Sequence, residues 1–316
     1  MDANNVIGIQ RSWGWKVATH LYLAGMGAGL YVIGFLMDVL RPASDFAFTA
    51  KLSVYAAATV LIAGLLLIYS HLGNRVNAVH ALSLAVPSWL ARGSIALIIL
   101  LILDLIQIGM PNLNSVLGIV TSLVALFVLV YTGMLLTSLK PFQFWHTWLL
   151  PFLFVFSGMG SGFMLLGFLI ALYGLLNGSM VTPSLMPVVS CIVLAILWAA
   201  LMLIFFLGRA YAVASAKDSF RIMTTGSGAM AFWLGVVIVG HLIPLFLGIY
   251  LSSAVLNPRV TLVLSVFVTL CGIIGGLLLK YLVLSAGTSA KLKVAGDSVP
   301  LPKGARFPAS HRVQYR

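Results

Sequence analysis

Runs of about twenty apolar residues recur along the chain, separated by short polar stretches rich in Gly, Pro, Ser and basic side chains. A bilayer core about 30 Å thick takes about 20 residues of helix, so each run has the length of one crossing. The runs lack the one-in-two alternation of a membrane β-barrel. Backbone groups in lipid must be satisfied within their own segment, so the pattern predicts helices. Eight are predicted, at about 15–38, 52–72, 90–110, 115–138, 148–176, 184–208, 229–251 and 260–284. The fifth is long enough to tilt or to project beyond the bilayer. Past residue 285 the sequence AGTSAKLKVAGDSVPLPKGARFPASHRVQYR turns polar and basic and loses its apolar period. That predicts an extended tail, disordered by itself or laid along a partner.

The first run, WGWKVATHLYLAGMGAGLYVIGF from Trp13 to Phe35, carries the clearest internal signal. It opens on Trp13, Trp15 and Lys16, an interfacial pattern, and its Gly25, Gly27, Gly29 and Gly34 form a small-residue face. Helices in lipid gain little from burying apolar surface, so close backbone approach through small residues is what packs them. The segment recurs: GMGAGLYVIGF at 25–35 and GMGSGFMLLGF at 158–168 share six of eleven residues, with Gly158, Gly160 and Gly162 repeating the spacing. The copies lie in spans one and five, four crossings apart, so both run in the same direction. The predicted architecture is an all-α polytopic membrane protein with eight transmembrane helices in two parallel-related four-helix halves, 15–138 and 148–284. A short segment, 1–14, precedes them, and the tail, 285–316, follows.

Composition sharpens this picture. Of 316 residues, 61% are hydrophobic and 8% charged, and the net charge is +12. The mean hydropathy of +1.12 excludes a soluble domain. Eight crossings return both ends to one side. That side receives Arg11, Lys16, Arg75, Arg92, Lys140, Arg209, Lys217, Arg221, Lys280 and the basic tail, against only Arg41, Lys51 and Arg259 opposite. The positive-inside rule makes it cytoplasmic, and a basic face also suits an acidic partner or anionic lipid. Nucleic acid is not implied. The first twelve residues lack a charged region followed by a cleavable apolar core, so no signal peptide is expected. Cys191 and Cys271 lie far apart in apolar runs, so the chain does not supply the ligands of a four-cysteine iron–sulfur cluster.

Polar residues inside apolar runs are the candidate chemistry, because lipid makes them costly. All six acidic residues are Asp, and only Asp104 sits well inside a span; Gln107 follows on the same face. Asp104 reads equally as part of a proton relay or as a structural carboxyl kept neutral by burial. Asp38, at the end of span one, reads as interfacial. His241 is in the middle of span seven, and Pro244 beyond it cannot donate to the Gly240 carbonyl, which predicts a kink there. Asp104, Gln107 and His241 together outline a candidate proton path. His20 lies one turn inside the basic end of span one, and Tyr131 lies about 13 Å of helix from Lys140 in span four. An imidazole and a phenol at one depth suit a flat ligand with two carbonyls. Tyr131 also reads as an ordinary interfacial tyrosine. Two histidines as axial ligands of a b-type haem, and a solute or proton transporter built of two parallel halves, remain open from the residues.

The segments WGWKVATHLYLAGMGAG, YSHLGNRVNAVHALSLAVPSWLARGS, VLVYTGMLLTSLKPFQFWHTWLLPFLFVFSGMGSG and GGLLLKYLVLSAG, in that order, resemble the NrfD/polysulfide reductase membrane-subunit family over residues 11–287. The resemblance implies an eight-helix subunit without haem or iron–sulfur cluster of its own, in the cytoplasmic membrane of a bacterium or archaeon. Such a subunit is the membrane anchor of an oxidoreductase and not its terminal catalytic subunit. It passes electrons between the quinone pool and a ferredoxin-like iron–sulfur subunit, which connects to a molybdopterin-type catalytic subunit. The family's quinone-site histidine and tyrosine fall on His20 and Tyr131. A third site residue, an asparagine, falls on Val17, which leaves Lys16 or Thr19 to replace its contact. His71 falls where relatives carry Asp or His before LGRP, here HLGNR.

Overall fold

The computed structural model describes residues 8–9, 13–40, 44–71, 88–110, 115–177, 214–253 and 256–289. Five helices open the chain: α1 (Trp15–Leu40), α2 (Ser44–His71), α3 (Trp89–Ile108), α4 (Val116–Thr137) and α5 (Leu149–Asn177). A short amphipathic α6 (Ala214–Thr224) follows, then a π-helical segment, Ala231–Leu242, continuous with α7 (Ile243–Ser253), and finally α8 (Pro258–Ser285). Seven stretches among the described residues are long and apolar enough to cross a membrane. They match seven of the eight predicted spans; the predicted span 184–208 and Cys191 lie outside the described residues. Helix α2 starts at Ser44, ahead of the apolar run predicted from about residue 52.

Local sequence sets the helix ends. Ser88 and Ser115 cap α3 and α4, their hydroxyls accepting from the amides of Ala91 and Gly118. Asn257 caps α8 in the same way, with Pro258 in the first turn, where its missing N–H costs nothing. At the predicted disturbance near His241 lies the π-helical segment Ala231–Leu242. Pro244, just beyond it, has no N–H for an α-helical bond to Gly240.

Polarity is distributed inside out. Ile98, Ile99, Ile102 and Leu105 of α3 and Leu123, Leu126, Phe127 and Val130 of α4 face outward, while Asp104, Gln107, Thr121 and Thr132 are buried. Lipid tails satisfy the first group; the second needs protein. Asp38 belongs to the second group too. It is buried at the end of α1.

Helices α1 and α5 form the centre, and the two GMGxG copies lie on each other there. A Cβ on Gly158 would sit 2.8 Å from the Gly25 carbonyl oxygen, and one on Gly162 would sit 2.6 Å from the Leu30 nitrogen. The contacts advance in the same sense along both helices, so α1 and α5 run parallel. Around this axis α4 packs on both α1 and α5, and so does α8. Gly27 faces elsewhere, onto Leu61 of α2, and Gly160 is buried. A first prediction follows. At Gly29 a Cβ would lie 2.5 Å from the Gly158 carbonyl oxygen, so Gly29→Ala should destabilise the fold by about 1–3 kcal/mol, as overpacking does. Gly167→Ala is the control, since its Cβ meets nothing within 4 Å. Thermal unfolding in detergent checks both, and equal midpoints would remove the central role of this contact.

At the Trp15 end of α1 the chain is tied together. Residues 8–9 pair antiparallel with residues 288–289, just beyond the end of α8. Trp145, in the loop between α4 and α5, stacks on Trp13 at 6.0 Å and meets the tilted Phe142 ring at 4.4 Å, and its indole N–H donates to the Val283 carbonyl at 2.8 Å. Trp13 is thus part of a protein plug, whereas Trp15 is exposed as an interfacial residue should be.

Candidate functional site

His20, Gly64, Gly93 and Tyr131 lie four to seven residues from the same end of α1, α2, α3 and α4 respectively. At 1.5 Å per residue that is a common depth of roughly 6–10 Å. The sequence therefore brings one residue from each helix of the first half to one level.

His20 is buried, and its Nδ1 lies 2.9 Å from the Gly64 carbonyl oxygen. A carbonyl only accepts, so Nδ1 carries the proton and Nε2 keeps a lone pair for another partner. Sequence reasoning found His20 but not Gly64, whose backbone oxygen selects the tautomer. A side-chain pattern holds no signal for a backbone acceptor on another helix.

Tyr131 is 1% exposed, and its buried hydroxyl has no hydrogen-bond partner among the described residues. Its ring lies on Gly93, where a Cβ would overlap the ring. Gly93 thus fixes the position of the phenol. An unpaired buried hydroxyl costs about 1–3 kcal/mol, which an acceptor arriving from outside the chain would recover. The residues present fit a quinone, whose oxygens would take the unused Tyr131 donor and the unused His20 acceptor. The two side chains, from α1 and α4, rest on different neighbours, Gly64 of α2 and Gly93 of α3, and do not bond each other. Lys16 is partly exposed at the mouth. Thr19 donates its hydroxyl to Trp15 O at 2.9 Å in its own helix, so its donor is committed there.

At the opposite end of the same half lies a second polar group. The Tyr31 hydroxyl donates to Gln107 Oε1, Gln107 Nε2 donates to Thr121 Oγ1 at 3.1 Å, and Thr121 donates to Leu117 O at 2.8 Å. Asp104, one turn before Gln107, is fully buried, and neither carboxylate oxygen has a hydrogen-bond partner among the described residues. Tyr31 is the member that sequence reasoning missed, because a tyrosine in an apolar run reads as packing. His241 does not join this group. Its Nδ1 bonds Val236 O at 2.6 Å, inside the π-helical segment, which packs on α8. The candidate path is therefore split between two places. His146 is exposed and bonds Thr137 O at 2.9 Å, closing the end of α4. The side chain of His71, and all of His80, lie outside the described residues.

Lys280 corrects the charge count. The sequence pattern assigns it to the basic surface, yet it is fully buried in α8 and donates to the Leu21 carbonyl at 3.0 Å. The signal is present in the sequence: GGLLLKYLVLS is apolar on both sides of the lysine.

A family model described as "Polysulphide reductase, NrfD" matches residues 3–290. The chain is 27% identical over 311 residues to the C chain of the polysulfide reductase of Wolinella succinogenes, an alignment spanning 87% of this chain and 94% of that protein. It is 25% identical over 318 residues to protein NrfD of Escherichia coli K12, spanning 87% and 94%. The C subunit of the sulfite dehydrogenase of Allochromatium vinosum is 35% identical over 165 residues, spanning 45% of this chain and 50% of that one.

Proposed function

The chain belongs to the NrfD polysulphide reductase family, and from that premise we propose that it is the quinone-reactive membrane subunit of a respiratory oxidoreductase complex. The observation that carries the reading is the pairing of unused groups at one depth. Tyr131 offers a buried O–H without an acceptor, and His20 offers Nε2 on a ring held by Gly64. Quinol or quinone is the substrate. Tyr131 donates to one oxygen and His20 Nε2 faces the other. On oxidation the quinol gives up two electrons and two protons, and the imidazole is the first proton acceptor.

The electrons pass to a ferredoxin-like iron–sulfur subunit docked at the His20 end, and from there to a molybdopterin-type catalytic subunit. Lys16, Arg92 and Lys140 lie at that end, which suits an acidic docking surface. Two relatives are named as the C components of a polysulfide reductase and of a sulfite dehydrogenase, which supports the role of one subunit among several. The same basic end faces the cytoplasm by the positive-inside rule, which still holds without Lys280. At the other end Asp104 and Gln107 form a proton-holding site; His241 is a separate station near α8.

Affinity purification of the tagged chain with mass spectrometry tests the assembly. A co-purifying iron–sulfur subunit supports it, and isolation without any redox partner would sink it. Within the complex, Tyr131→Phe removes one hydrogen bond to substrate, about 0.5–1.5 kcal/mol, so the quinol KM should rise up to roughly tenfold. An unchanged KM would take Tyr131 out of the site.

A further inference from the structure

Lys280 has no role in the mechanism above, yet it is fully buried in specific surroundings. The ammonium donates to the Leu21 carbonyl at 3.0 Å, and it stands 4.8 Å from the Phe154 ring centroid and 5.7 Å from that of Tyr22. An ammonium has three N–H donors, and among the described residues Leu21 accepts from one of them. Tyr22 adds a second unused donor. It is 1% exposed, and its buried hydroxyl has no hydrogen-bond partner among the described residues. That hydroxyl lies on α8 one turn before Lys280, where a Cβ on Gly276 would sit 3.3 Å from Oη. Tyr22 comes two residues after His20, so the two side chains leave α1 about 200° apart. His20 turns to α2, and Tyr22 turns to α8.

Helix α5 supplies a third group. Lys280 lies on Phe154, and Gly272 lies on Met164, where a Cβ would overlap the thioether sulfur. The two helices are therefore antiparallel, and Gly276, midway between the two contacts, falls level with Ser157 to Ser161 on α5. The Ser157 hydroxyl oxygen is buried without a partner among the described residues, while Ser161 donates to the Ser157 carbonyl at 2.6 Å. Gly25 joins these contacts, since a Cβ there would meet Nζ at 3.0 Å and the Cα of Gly158, next to Ser157, at 3.5 Å. Packing does not require this polarity. Gly158 is the equivalent first glycine of the other repeat copy, and it is covered by Leu129 Cδ2 where Gly25 is covered by Nζ. In lipid the exchange of a leucine for a cation is costly, so it points to function.

We propose that the junction of α1, α5 and α8 is an internal hydration site, where ordered water accepts from Lys280 Nζ and the Tyr22 hydroxyl and donates to Ser157 Oγ. Buried water takes about three hydrogen bonds from polar groups that otherwise lack them. Here two side chains from different helices lack any, and the lysine between them has donors to spare. A carboxylate is the other partner that a buried cation takes. Helices α5 and α8 contain none, and the one on α1, Asp38, lies more than four turns from Tyr22. Water solvates the ammonium in place of a counter-charge, which holds the lysine inside the bundle without an ion pair. The site uses none of the groups that face the quinone, so it stands or falls apart from that reading.

The test is a crystal structure of the full-length chain grown from a lipidic mesophase, with a second data set from crystals soaked in bromide. Ordered water should appear at about 2.7–3.2 Å from both Lys280 Nζ and Tyr22 Oη, with no anomalous bromide signal there. In Lys280→Met, whose side chain is unbranched and carries no donor, the water beside position 280 should be lost. If that variant does not fold, Tyr22→Phe should lose the water on Oη and keep the one on Nζ. A wild-type map that shows ordered water elsewhere between the helices but none at this junction overturns the proposal. So does a bromide peak, which would make the junction an anion site, and so does water that stays in place in both variants.

Discussion

His20→Ala should lower quinol oxidation by about two to four orders of magnitude, the usual contribution of a positioned proton acceptor. Folding should be little affected. The substitution leaves the Gly64 carbonyl oxygen without its side-chain donor, but that oxygen lies within helix α2, whose backbone supplies amide donors. His20→Gln separates the two roles of the ring. Glutamine can donate to Gly64 and still face the substrate, but it does not accept a proton, so binding should survive while turnover falls. Fluorescence titration with a quinol-like hydroxyquinoline N-oxide reads binding, and stopped-flow oxidation reads turnover. Full activity in His20→Ala, with the protein folded, would move the proton acceptor to another residue. Loss of binding and turnover together in His20→Gln would make the ring a ligand and not a base.

The fold was legible because lipid imposes a coarse code. Run length gave seven of the described crossings, and the GMGxG repeat pointed to the helices that meet at the centre. That repeat reported backbone contact directly, since a Cβ on Gly29 would meet the main chain of Gly158 and one on Gly158 the main chain of Gly25. Site residues were legible where a polar type is rare in its surroundings: His20, Asp104 and Gln107 stand out for that reason. Tyr131 came through the family resemblance, as a tyrosine near a membrane surface is otherwise ordinary. Two kinds of information were not in the pattern, and a third was present but misread. Partners on other helices, such as Gly64 and Gly93, depend on which faces meet. A tyrosine such as Tyr31 reads as packing until Gln107 is found against it. Lys280 reads wrongly from sequence because a lysine near a span end is normally a surface charge that snorkels outward. Here Gly25 opens the inward route, and that depends on a contact between two elements 255 residues apart in sequence.

Asp104→Leu should make the protein more stable and its complex less capable. The two side chains have nearly the same shape, so the exchange adds no volume to the core. Both carboxylate oxygens of Asp104 are buried without partners among the described residues. Unsatisfied buried groups cost about 1–3 kcal/mol per side chain, and insertion measurements place an aspartate at a helix centre about 2.5–3.5 kcal/mol above apolar residues. A gain of about 2–3 kcal/mol is therefore expected in Asp104→Leu, read as a higher unfolding midpoint in detergent. Asp104→Asn keeps the polarity and should gain less. A residue that weakens the fold in this way, one turn from the Tyr31–Gln107–Thr121 chain, is held there for another purpose. If that purpose is proton holding, proteoliposomes carrying Asp104→Leu complexes should oxidise quinol while taking up or releasing fewer protons per quinol at the Asp104 face. A destabilised Asp104→Leu would show that a partner satisfies the carboxylate in the folded protein. A stabilised variant with unchanged proton stoichiometry would confine Asp104 to structure and leave His241 as the remaining intramembrane station.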